Sequence, residues 1–158
     1  MLTLADHFAL VEDEYRASVK ALLSIRQAWL VAMLIDHLPD RMFEAYRETA
    51  PDKVFNAEDL PAYRAILREK SPALAIIFDL CALRPEGRTL KVVPVEVPIA
   101  EYHKLSVEDF MVSLYNQNSV QRVVVAWGDG RQRLAHEVLG EAIEAAAIWM
   151  RSIERKPA

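Results

Sequence analysis

The chain runs through its first 38 residues without a glycine or a proline, and the first to occur is Pro39. Few folds tolerate such a run except as helix, because Gly and Pro are the residues that most readily end one. Thr3 stands at an N-cap position, and Asp6 sits three residues on, where a capping box wants an acid and the helix dipole favours one. Leu4, Phe8, Val11, Tyr15, Val19, Leu22 and Trp29 then fall on one helical stripe. The simplest reading is one long helix over about 4–37, kinked or tilted past the core. Beyond Leu22 the apolar band widens, so that half is expected to be the better buried. Its most apolar window, ALLSIRQAWLVAMLI, is interrupted by Arg26 and Gln27 and followed by Asp36. A membrane span needs about 20 apolar residues, so a buried helix is expected and no membrane partner.

Pro39 restarts the chain. Met42, Phe43 and Tyr46 suggest a short helix to about Glu48, and TAPDKVFNAED reads as a loop. Asp59 caps the next helix, with Pro61 in its first turn and Tyr63, Ile66 and Leu67 inward. Ser71-Pro72 is a cap followed by a first-turn proline, which favours helix for ALAIIFDLCAL. A short apolar run also fits a buried strand, so residues 73–83 are open between the two.

TLKVVPVEVPIAEY, from Thr89, reads as strand, with Val93, Val95, Val97 and Ile99 on one face. Pro94 and Pro98 share parity, so both missing donors lie on one side. That makes the segment an edge strand whose prolines block further pairing. Ser106 caps a short helix with Asp109 in the box position. RVVVAW is a strand apolar on both faces, which calls for cover on both sides. Strand, helix and strand over about 89–127 are long enough for a βαβ crossover. The last helix is expected over about Arg131–Glu154, with Leu134, Val138, Ala142, Ala145, Trp149 and Ile153 inward. The expected fold class is α+β and helix-dominated: a long N-terminal and a C-terminal helix packed on a small sheet of few strands. Its 158 residues suit a single globular domain over 1–158.

Charge narrows the partners. Residues 1–60 hold 6 Lys/Arg against 11 Asp/Glu, net −5, while residues 61–158 hold 13 against 12, net +1. No concentrated basic face is visible, which argues against nucleic acid. The acidic N-terminal third is a solvated helix face or a docking surface for a basic partner. Cys81 is the one cysteine, so no intrachain disulfide forms and a reducing, cytoplasmic setting is the natural reading. Met1-Leu2-Thr3-Leu4-Ala5-Asp6 lacks the basic start and apolar block of a signal peptide.

The candidate sites are few. Gly128-Asp129-Gly130 follows a strand and precedes a helical pattern, as a phosphate loop would. But Asp129 would repel an anion, and no Gly-Lys-Ser/Thr follows. The same residues read as a helix start, with Asp129 the N-cap and Gln132 at the third helical position. AIIFDLCAL resembles the first motif of the haloacid dehalogenase superfamily, where Asp79 would be the nucleophile. Cys81 and Leu83 replace that motif's second aspartate and its threonine, so the acid this chemistry needs is missing. Asp79 is instead expected to pair with Arg68 or Arg84. His7, His37, His103 and His136 stand in no metal-ligand spacing, and Asp36-His37-Asp40 is the tightest group of ligand-type residues. No metal or cofactor is expected. Cys81 reads as a core filler. His103 and Asp129 both follow strands. If those strands are parallel, the two share a sheet end and form the one candidate acid–base pair. Glu137, Glu141 and Glu144 line one face of the last helix, with Arg133 four residues before Glu137.

Three functional expectations follow. The first is a small cytoplasmic protein that works by protein–protein binding, as a regulator, adaptor or immunity-type inhibitor without catalysis. Tyr15, Val19 and Trp29 are its interface candidates, facing a possibly basic protein or a second copy in a homodimer. The second is a small-ligand-binding protein or hydrolase-like enzyme with a pocket at the sheet end near His103 and Asp129. The third is a non-catalytic subunit of a larger complex.

Overall fold

The computed structural model describes residues 3–83, 87–97, 104–107, 109 and 119–154, with side chains through Arg151. The described residues form five α-helices and a three-stranded sheet. The helices are α1 (Leu4–Lys20), α2 (Ile25–Tyr46), α3 (Leu60–Lys70), α4 (Pro72–Cys81) and α5 (Ala135–Glu154). A 3-10 turn, Pro51–Val54, follows α2. The strands are β1 (Thr89–Glu96), β2 (Ser119–Ala126) and β3 (Gln132–Leu134), in the order β1-β2-β3. The fold is α+β and helix-dominated, as the periodicity predicts.

The cap signals work where the sequence places them. Thr3 and Asp6 complete a capping box, and the Asp59 and Ser71 side chains accept from Ala62 N and Leu74 N. Residues 72–81 are helix, which resolves the open choice over 73–83. In the N-terminal half, two helix boundaries differ from expectation. The run expected as one helix over 4–37 breaks at Ala21–Ser24. Ser24 starts α2 by accepting from Gln27 N at 3.1 Å. The freed Leu22 carbonyl accepts from Val123 N of β2 at 3.1 Å. Pro39 does not restart the chain; it lies buried inside α2. A mid-helix proline removes one ladder bond and crowds the turn before it. Arg64 of α3 occupies that turn, donating to the Asp36 carbonyl at 2.9 Å.

α2 is the central helix, packed by α1, α3, α4, α5 and β1. Val31, Ala32, Ile35, Leu38 and Met42 on its inner side are all at most 2 % exposed. They meet Leu74, Ile77 and Leu80 of α4, Val138, Leu139 and Ala142 of α5, and Leu90, Val123 and Val125 of the sheet in one core. Each Val, Leu, Ile or Met among them contributes roughly 1.5–3 kcal/mol by leaving water, so this junction holds the elements together.

The sheet is antiparallel throughout. The βαβ crossover over 89–127 is therefore not formed: Val92 faces Val123 and Leu90 faces Val125, with the strands running in opposite directions. β1 is an edge strand of the described sheet, and Pro94 fits that place. Val123 N points to Leu22 and so away from β1. Two residues on, Gln121 and its partner Pro94 repeat that geometry. The N–H that Pro94 lacks would have faced the outer edge, so no ladder bond is lost. Pro98 lies outside the described residues. β2 is buried on both faces, as its composition demands. Val123 and Val125 join the main core, while Val120, Arg122 and Val124 are buried on the other face. There Arg122 donates to both carboxylate oxygens of Asp109, at 2.5 and 3.0 Å. Asp109 is itself held by the expected capping box with Ser106. Burial works to raise the Asp109 pKa, but the Arg122 and Ser106 hydrogen bonds outweigh it and leave the group below its ordinary value.

Candidate functional site

The glycines around Asp129 turn a corner, though not at a helix start. Trp127 N donates to Arg131 O at 2.9 Å and Gly130 N to Trp127 O at 3.1 Å, closing a hairpin turn between β2 and β3. Gly130 has φ +92, a conformation that favours glycine. The expected N-cap at Asp129 and helix start at Arg131 are corrected: Gln132–Leu134 form β3, and α5 begins at Ala135. The helix-like pattern misled because β3 is only three residues long. Asp129 accepts from Arg131 N at 3.1 Å and Arg131 Nε at 2.7 Å. The Arg131 backbone bond, with its side chain, holds the exposed Asp129 carboxyl below its usual range. The acid–base pairing of His103 with Asp129 assumed parallel strands. The antiparallel register puts the C-terminal ends of β1 and β2 at opposite ends of the sheet. His103 itself lies outside the described residues, as does Arg84.

The other sequence candidates are occupied by structural partners. Asp36 and Asp40 both bind Arg64, Asp40 at 2.8 Å, and the guanidinium lies 4.2 Å from the Phe78 ring centroid. His37 is exposed. Among the described residues, no three His, Cys, Asp or Glu side chains are grouped to hold a metal. Asp79 lies within helix α4 rather than at a strand end and pairs with Arg68 at 2.8 Å, which removes the likeness to a strand-borne nucleophile. Burial, then the Asp36 charge, pushes the Cys81 thiol up to about 12, consistent with a core filler. His7 is buried, and its Nε2–H donates to the Leu34 carbonyl at 2.8 Å. Among the described residues, no helix is long and apolar enough to cross a membrane.

The structure does assemble one arrangement that no local motif announces. α1 and α5 lie side by side, and between them runs a groove of about 520 Å3. α1 contributes Glu12, Tyr15 and Arg16. α5 contributes Glu137, Glu141 and Glu144, with Ile143 as an apolar wall. Gly140 allows the close approach: a Cβ there would stand 2.5 Å from the Tyr15 hydroxyl oxygen. That hydroxyl donates to the His136 carbonyl at 3.1 Å and stitches the two helices. Burial, then the charges of Glu144 and Glu137, pushes the Tyr15 pKa up, so the phenol stays neutral at pH 7. Burial likewise lowers the His136 pKa.

The charge of the groove is unbalanced. Arg16 is engaged by Asp13 at 2.5 Å. Arg133 binds Glu141 at 2.6 Å, and not Glu137 as the helical spacing suggested, because Arg133 sits in β3. Glu12, Glu137 and Glu144 make no ion pair among the described residues. Three carboxylates beside a neutral phenol and an isoleucine suit Lys or Arg side chains carried on an apolar backbone of contacts. The sequence displayed the α5 carboxylates as one face, but not the helix that would lie beside them. An isolated glycine within a helical stripe is the signal that locates the close approach.

The three interface candidates sit in different settings. Tyr15 is half-buried in the groove, Val19 is 42 % exposed, and Trp29 packs on the core and lines a separate cleft at the sheet end. Compared with family models, curated proteins and solved structures, the chain matches none.

Proposed function

We propose that the chain works by binding another protein, and that the α1/α5 groove receives a segment rich in Lys or Arg. The observation that carries this reading is the convergence of Glu12, Glu137, Glu141 and Glu144 from two helices on one groove of about 520 Å3. Charge supplies orientation and a fast approach, and Tyr15 and Ile143 supply contact area that leaves water on binding. A regulator, adaptor or inhibitor needs no more than such a surface, presented on a rigid frame. α1 and α5 provide the frame because both are anchored on α2.

Peptide display on the folded chain tests this. The selected peptides are expected to be enriched in Lys and Arg. Their affinity should fall at least about tenfold in the Glu137→Gln/Glu144→Gln double variant, and should weaken as salt rises. A selection without basic enrichment, or peptides that bind the double variant equally well, would contradict the proposal.

A further inference from the structure

A second cleft, of about 390 Å3, lies at the sheet end where β1 begins and β2 finishes, and its chemistry is opposite to that of the α1/α5 groove. Trp29, Arg88, Thr89, Lys91, Trp127 and Gly128 line it. The Arg88 guanidinium sits 5.1 Å from the Trp127 ring centroid, and that of Arg131 sits 5.7 Å from the same centroid. These cations are unequally compensated. Arg131 is matched by Asp129 at 2.7 Å. Arg88 reaches Asp79 only at 3.8 Å, while Arg68 already holds that carboxylate at 2.8 Å. The Arg88 Nε–H is buried with no hydrogen-bond partner among the described residues. Lys91 is exposed and makes no ion pair among the described residues.

What a ligand in the cleft can meet is the exposed part of the Arg88 side chain, 30 % exposed, whose carboxylate partner Asp79 is shared with Arg68. An aromatic plane holds the Arg88 fork in place, which suits a bidentate carboxylate or phosphate. Two indoles in the walls favour a flat apolar body. The volume lies within the range of small-ligand sites.

We propose that this cleft binds a planar aromatic anion, its ring body against Trp29 and Trp127 and its carboxylate or phosphate ester on Arg88 and Lys91. The site is separate from the groove that takes a basic partner, so each stands or falls without the other.

Titration calorimetry and tryptophan fluorescence on the full chain provide the test, with 2-naphthoate and adenosine 5′-monophosphate as anionic probes. The neutral bodies 2-naphthol and adenosine serve as comparisons. At least one anion is expected to bind saturably with a Kd on the order of 100 µM, and at least about tenfold more tightly than its neutral counterpart. Which anion binds reports whether the head group is carboxylate or phosphate. Arg88→Gln should weaken binding about tenfold and Lys91→Gln about threefold, while Arg151→Gln, on the exposed end of α5, should leave it unchanged. Lys91 is exposed, so its variant carries the test if Arg88→Gln fails to fold. The proposal is overturned if neither anion saturates, if the neutral bodies bind as tightly, or if the folded cleft variants bind like the parent chain.

Discussion

Tyr63 is fully buried, yet its hydroxyl has no hydrogen-bond partner among the described residues. Its ring is well used, stacked on Phe43 at 5.8 Å and tilted against Trp149 at 5.4 Å. Burial pushes the phenol pKa far up, so the group is neutral and simply unpaired. Tyr63→Phe keeps the ring and removes the orphan, and should stabilise the chain by about 1 kcal/mol in urea titrations. A loss of stability of similar size would show that the hydroxyl has a partner. Gly140 offers a sharper case. Alanine in a helix interior normally gains about 1 kcal/mol over glycine, but here its Cβ meets the Tyr15 hydroxyl. In a double-mutant cycle, Gly140→Ala should be more favourable in the Tyr15→Phe background by at least about 1 kcal/mol. Equal effects in both backgrounds would deny the close approach. Neither residue was legible as a contact, since both depend on which distant segment lies alongside. Cys81 and Asp79 were legible, because a thiol in an apolar helix packs against the core and a half-buried acid needs a nearby arginine.

Among elements, the caps at Thr3, Asp59, Ser71 and Ser106 were read correctly, while Asp129, read as one, lies in a hairpin turn. The break at Ala21–Ser24 was missed although Ser24-Ile25-Arg26-Gln27 has capping-box spacing. The apolar stripe continues across it, and Gln27 spends its side chain on Glu14 of α1, at 2.7 Å, instead of closing the box. What ends α1 is partly tertiary: the sheet uses the Leu22 carbonyl to extend its ladder where β3 stops. The Asp109–Arg122 pair is the polar counterpart on the far face of β2, with both residues under 10 % exposed. Asp109→Ala strands a buried guanidinium and should cost about 3–5 kcal/mol. The folded Asp109 pKa is depressed, so its contribution is fully present above the unfolded value near 4 and is lost as pH falls through the folded one. Urea titrations at pH 7, 5 and 3 should therefore show the parent chain losing its advantage over Asp109→Ala only at the lowest pH. A gap that stays constant down to pH 3 would remove the charge from the explanation.

At the scale of the molecule, periodicity and composition were enough for the class of fold: few Val-rich segments, many amphipathic ones, and a strand in which Pro94 marks an edge. They were not enough for strand direction. The segment between β1 and β2 is long enough to serve a parallel crossover or an antiparallel return, and connection length does not choose between them. The candidate acid–base pair depended on that choice. The α1/α5 groove is legible only in hindsight, because Glu12 and Glu144 lie far apart in sequence and meet through the packing of both helices on α2. The acidic bias of the first 60 residues pointed toward such a surface without locating it. Backbone amide shift mapping with a display-selected basic peptide tests the central claim most directly. The account predicts that Glu12, Tyr15, Gly140, Glu141, Ile143 and Glu144 shift together and saturably, while Trp127 and Lys91 stay still. Shifts confined to other faces, or none at saturating peptide, would contradict it.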